Sequence, residues 1–126
     1  AAEDAPTMLA ESGADAVMIG RGAYGRPWFP GSVVNTVKTG RPVPEPQGAE
    51  LADRLIELYD HMLRFYGREH GVRLARKHLA WALDRLDYAG AGLHEMRRAI
   101  VRNEDPAAVV RMVRTLTTGT EEACAA

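Results

Sequence analysis

Residues 14–30 read ADAVMIGRGAYGRPWFP, and the rest of the chain is interpreted outward from them. Asp15–Ile19 is a short apolar run set between Gly13 and Gly20. That is the pattern of a strand buried on both faces in a parallel sheet. Gly20, Arg21, Gly22 and Gly25 follow at once, and Pro27 is placed to be the first residue of a helix. Strand, glycine-rich turn and helix N-terminus, in that order, make a phosphate seat. Glycines let the backbone approach the anion, free amides point at it, and the helix dipole and an arginine add positive charge. At the end of a barrel strand such a turn is a frequent phosphate site. The same turn can also be purely structural.

No second convincing buried strand follows. One strand cannot make a sheet, and each unpaired buried backbone group costs roughly 1–3 kcal/mol. The expectation is therefore a C-terminal piece of a longer protein that carries its last barrel strand. The start at Ala1-Ala-Glu-Asp, without methionine, fits a fragment or simple processing. An orphaned Ala14–Ile19 edge would invite association with another chain.

Composition sets outer bounds. The 126 residues, with 46% hydrophobic and 26% charged side chains, match an ordinary globular chain. A formal net charge of −1 supplies no global field for nucleic acid, so any anion-binding surface must be local. The single cysteine, Cys124, makes no internal disulfide and no zinc site, fits a reducing cytoplasm, and lies where nothing would lower its pKa. No apolar run approaches the roughly 20 residues that span a bilayer, and no signal-peptide pattern is present. His61, His70 and His94 lack paired ligand spacing, so no metal is expected. Tyr24, Trp28 and Tyr66 are expected to be packing residues.

Along the chain, Glu3–Ser12 reads as a short helix stopped by Gly13. After the glycine turn, Pro27–Thr39 reads as a helix that buries Val33, Val34 and Val37, its start weakened by Pro30 and Gly31 and its end set by Gly40. Arg41–Gln47 holds three prolines and favours extended geometry, which places a linker at residues 41–48. From residue 49 the pattern is helix only. Leu51, Leu55, Leu58, Met62 and Phe65 form one stripe, closed by Gly67. Gly71–Leu86 is a second helix with Val72, Ala75, Leu79, Leu83 and Leu86 inward. Gly90 and Gly92 break the chain, and Leu93, Met96 and Ile100 mark a third helix. Asp105-Pro106 starts a fourth, lined by Val109, Met112, Val113 and Leu116 and closed by Gly119. Residues 121–126 are a tail expected to fray. The fold class expected is mostly α: the last strand and flanking helices of a (β/α)8 TIM barrel in residues 1–40, then a small four-helix bundle in residues 49–120.

At about 100° per residue, Arg73, Arg76 and Lys77 fall on one stripe opposite the apolar side of the second bundle helix. Trp81 flanks Lys77, His78 points aside, and Arg64 and Arg68 extend the positive surface from the preceding helix. A cationic helix face beside an aromatic suits a phosphodiester backbone. The competing reading is a solvated helix face with Trp81 in the core. No carboxylate interrupts the stripe between Arg73 and Lys77, although Asp84 returns to that face two turns on.

Two stretches together resemble a known family. Gly13–Trp28 is similar to the last barrel strand and flavin-phosphate turn of bacterial tRNA-dihydrouridine synthases, nearest to the DusB branch. Tyr66-Gly67 followed by GVRLARKHLAW at 71–81 resembles the helical-domain signature of that branch. The resemblance implies an FMN enzyme: a TIM barrel holds the flavin, NADPH reduces it, and hydride passes to C6 of a tRNA uridine while a loop cysteine protonates C5. It assigns Gly20, Arg21 and Gly22 to the FMN phosphate, and Arg73, Arg76, Lys77 and His78 to tRNA. The loop cysteine, a flavin-contacting lysine and seven strands have no counterpart in this chain, so it is expected to be inactive alone and to act as a binding module. An independent helical interaction module, without nucleic acid, stays open as the alternative.

Overall fold

The computed structural model describes the backbone of residues 1–86 and 91–124 and their side chains except those of residues 91, 93 and 120–124. Six α-helices and one 3-10 turn account for its regular structure, and the described residues contain no strand. The chain divides into two compact units, Ala1–Glu45 and Pro46–Ala126.

In the first unit, α1 (Asp4–Ser12) ends where Gly13 adopts the left-handed conformation, φ 67°. The expected strand at Ala14–Ile19 is irregular chain instead. A β ladder needs a partner, and none lies among the described residues. The alternation of a strand survives only as burial: Val17 and Ile19 pack against Ala5, Phe29 and Val33, while Met18 is 89% exposed. A 3-10 turn over Arg21–Ala23 follows. Helix α2 spans Phe29–Thr39, so Pro27 stands before it and Pro30 occupies its first turn, where no amide is needed. Its buried side is Phe29, Ser32, Val33 and Thr36; Val34 and Val37, expected inside, are exposed.

In the second unit, α3 (Gly48–Tyr66) packs on α4 (Arg68–Leu83) and on α6 (Pro106–Cys124), and α5 (Ala91–Arg102) packs on α4 and α6. Leu55, Leu83, Ile100, Val109 and Val113 are fully buried between them. The inward face of α3 is Leu51, Ala52, Leu55 and Tyr59, rotated from the expected stripe, and Phe65 at its end is 81% exposed. Helix α4 starts three residues before the expected Gly71 and stops at Leu83, leaving Leu86 outside it. Asp105 caps α6 as its spacing predicts, its carboxylate accepting from the Ala107 and Ala108 amides. Gly92 lies within α5 and Gly119 within α6. Neither adopts the positive φ that would let it end a helix. Gly90 and the side chain of Leu93 lie outside the described residues.

Two glycines set the α3–α4 angle. Gly67, the single residue between the helices, has φ 76° and ψ 162°, a region open almost only to glycine. Gly71 is buried against α3: a Cβ there would lie 2.8 Å from Leu63 Cα and from the Met62 carbonyl oxygen. The two helices thus touch backbone to backbone, which fixes how α4 presents its outer face.

Candidate functional site

The glycine turn is held by its own backbone. The Ala23 amide donates to Gly20 O, Tyr24 to Arg21 O, Arg26 to Ala23 O and Phe29 to Arg26 O, each at 3.0–3.1 Å. The first amides of this turn, Arg21 and Gly22, precede any internal acceptor, and Gly20, Arg21 and Gly22 are all exposed. A Cβ on Gly22 would come within 3.3 Å of the Phe29 ring, so the turn closes tightly over that ring. Positive charge nearby comes from Arg21 and from Arg26, whose guanidinium lies 4.0 Å from the centre of the Phe29 ring. Arg26 is not free for a ligand, because it is salt-bridged to Glu45. Glu45 also accepts from Trp28 Nε1 at 2.7 Å. Trp28 is thus a hydrogen-bonded clasp residue, and Tyr24, expected to pack, is 46% exposed. The dipole behind the turn is that of one 3-10 turn, since α2 begins only at Phe29.

On α4 the four residues assigned to tRNA separate into two pairs. Arg73 and Arg76 line a groove of about 600 Å³ together with Arg68, Glu69, Val72 and Glu104. Lys77 and His78 gather around half-buried Trp81: the Lys77 ammonium stands 5.0 Å from the indole centre and the His78 ring meets it edge-on at 5.4 Å. Burial first, and the Lys77 charge second, hold the His78 imidazole below its ordinary pKa, which favours the neutral ring. Its contribution to an anion site is then a hydrogen bond rather than a charge.

The groove contains one acid that the stripe did not foretell. Glu104, on the connection between α5 and α6, places Oε1 3.4 Å from an Arg76 terminal nitrogen. Behind it, Arg76 Nε and the Tyr59 hydroxyl are buried without a hydrogen-bond partner. Burial raises the Tyr59 pKa, opposed chiefly by the Arg76 charge. Asp84, which shares the helix face in the sequence, is engaged elsewhere, accepting two bonds from Arg97 at 2.5 and 2.9 Å. Arg64, near the end of α3, is exposed beside the uncovered rings of Phe65 and Tyr66; Arg68, expected on that same helix, is instead the exposed first residue of α4.

Comparison with known proteins adds the family. The model of the dihydrouridine synthase (Dus) family matches residues 1–120. A probable tRNA-dihydrouridine synthase of Rhizobium leguminosarum bv. phaseoli is 44% identical over 105 residues, 83% of this chain and 30% of that protein. A tRNA-dihydrouridine synthase B of Xanthomonas axonopodis pv. citri is 42% identical over 113 residues, 89% of this chain and 32% of the relative. A probable tRNA-dihydrouridine synthase of Rickettsia typhi is 40% identical over 105 residues, 83% of this chain and 31% of its own. The chain thus spans about a third of the length of the curated relatives it matches. Among the described residues no helix is long and apolar enough to cross a membrane.

Proposed function

Because the chain belongs to the dihydrouridine synthase family, we propose that it is the C-terminal part of a flavin-dependent enzyme that reduces a uridine in tRNA to dihydrouridine, with NADPH as reductant. Residues 1–40 are then the end of the FMN-binding TIM barrel and residues 49–120 the tRNA-binding helical domain, joined by the proline-rich stretch 41–48. The apolar surface left open in the first unit (Met18, Val34 and Val37 above all) is what a barrel segment shows without its neighbouring strands. It also gives such a piece a reason to associate with other copies.

The glycine turn fits a phosphate monoester. Exposed Arg21 would supply a charge-assisted bond, and the Arg21 and Gly22 amides would add two more donors. Gly20 closes the turn through its carbonyl. FMN, when bound, supplies hydride chemistry that no side chain can perform. The chain itself would hold one end of that cofactor and reduce no uridine alone. On α4, Arg73, Arg76 and Lys77 would track the tRNA backbone, with neutral His78 donating or accepting one hydrogen bond.

The observation that carries this reading is the groove in which Arg68, Arg73 and Arg76 converge on one side of α4. Its test is tRNA binding by the 126-residue chain as salt is raised. Three phosphate contacts give a log–log slope of about −2 to −3. Arg76→Glu with Lys77→Glu should flatten that slope by about two units, leaving the Arg73 contact, while circular dichroism checks that the helical fold is retained. Parent affinity and slope in the double variant would leave the face a solvated surface. The alternative, a helical module that binds protein, would then rest on Phe65, 81% exposed beside a groove of about 560 Å³.

A further inference from the structure

Arg76 is a cation whose hydrogen bonding is unfinished. It has five N–H donors. Its Nε is buried without an acceptor, and a terminal nitrogen reaches Glu104 only at 3.4 Å. Glu104 is held loosely in turn: its side chain is 87% exposed and sits on the short Asn103–Asp105 connection. The remaining polar lining of the groove is Arg68, Arg73 and Glu69. One carboxylate thus stands in front of the guanidinium that a bound anion would need. Exposed pairs of this kind are weak and cheap to open.

We propose that this groove, between the N-terminal half of α4 and the α5–α6 connection, seats one phosphodiester group of RNA, and that Glu104 is the displaceable counter-ion occupying Arg76 until RNA arrives. The proposal rests on the tRNA-binding reading and deepens it. Glu104 makes one long contact of 3.4 Å, whereas a phosphate seated on the terminal nitrogens of Arg76 would accept two parallel N–H bonds. Arg68 and Arg73 add charge from the same wall. Glu104 swings into water, where its exposure already places most of it. Its carboxylate therefore sets a small penalty, which any polyanion that takes the seat must offset.

The counterintuitive consequence is that removing an acid from the binding groove strengthens binding specifically through Arg76. Fluorescence anisotropy with labelled tRNA, at low and raised salt, tests it on the 126-residue chain. Glu104→Gln should bind roughly two- to fivefold more tightly at low salt, an effect that fades as salt screens the pair. Asp53→Asn is the control, since it removes the same charge from an exposed pair with Arg114 at 2.9 Å; it should change affinity less than twofold. Adding Arg76→Ala to Glu104→Gln should erase the gain. Equal gains from Glu104→Gln and Asp53→Asn, or a gain that survives Arg76→Ala, overturn the seat. Normal tRNA binding with no Glu104 effect removes the seat and leaves the tRNA reading standing; no tRNA binding by any form removes both.

Discussion

In the unit Ala1–Glu45 the buried apolar side chains are Ala5, Phe29 and Val33. In Pro46–Ala126 they run from Leu51 through Val113 and include Leu55, Tyr59, Leu79, Leu83 and Ile100. Exposure is distributed the other way. Met8, Met18, Tyr24, Val34, Val37 and Val43 are open in the first unit, against Phe65 and Tyr66 in the second. Fixing a residue's backbone costs about 1–2 kcal/mol, and burial returns about 25 cal/mol per Å². Three buried side chains offset little of that cost over 45 residues. The second unit closes its own core; the first leaves apolar faces open.

The largest expected effect separates the two cores. Leu55→Ala, at a site with no exposed area, should cost about 2–5 kcal/mol and lower the main thermal transition followed by circular dichroism. Phe29→Ala should leave that transition nearly in place. An equal fall in both variants would mean one shared cooperative core. A smaller effect sharpens the α3–α4 contact. Gly71→Ala should destabilise by about 1–3 kcal/mol, because the new methyl meets backbone rather than a movable side chain. Helix propensity alone would favour alanine by about 1 kcal/mol. Gly92→Ala in α5, where a Cβ meets nothing within 4 Å, should show that propensity gain undisturbed. Chemical denaturation of the pair reads the opposite signs.

The smallest effect is one of pH. The His78 pKa is lower in the folded chain than in the unfolded one, so the unfolded state binds the proton more readily. Stability from this group is intact above about pH 6.5 and falls as pH drops through the depressed folded value. His78→Gln should flatten the fall of melting temperature between about pH 7 and 5. An unchanged slope would mean that the imidazole is as well solvated folded as unfolded.

Helices with a complete local pattern were legible in the sequence. Asp105-Pro106 starts α6, and Val72, Ala75, Leu79 and Leu83 form the inner face of α4, because caps and i, i+3, i+4 spacing are local properties. What failed depended on distant neighbours. The Ala14–Ile19 run has the composition of a buried strand, but strand geometry needs a second strand beside it. The α3 stripe in the sequence runs through Leu58, Met62 and Phe65, whereas contact with both α4 and α6 turns Ala52 and Tyr59 inward. The i, i+4 spacing of Leu55 and Tyr59 was the available signal. At the basic face, Arg73 and Arg76 were found from helical phase, but Glu104 lies 28 positions beyond Arg76 and no periodicity links them. Gly67 reads correctly as the stop of the α3 stripe and Gly71 only as the start of the next helix; the physical cause of each is geometric, one a backbone only glycine adopts and the other a missing Cβ.

The single-residue joint at Gly67 also bears on how the second unit assembles. The chain entropy lost on closing a loop grows with its length, so a one-residue connection makes the α3–α4 contacts the least expensive tertiary contacts to form. Those contacts are close in sequence as well as in space, which gives this half of the unit a low contact order and a fast route to structure. Docking α6 onto α3 joins positions as far apart as Asp53 and Arg114, a closure that costs more chain entropy. The basic outer face of α4 is therefore mounted on the helix pair with the shortest connection in the unit, the pair whose association costs least chain entropy.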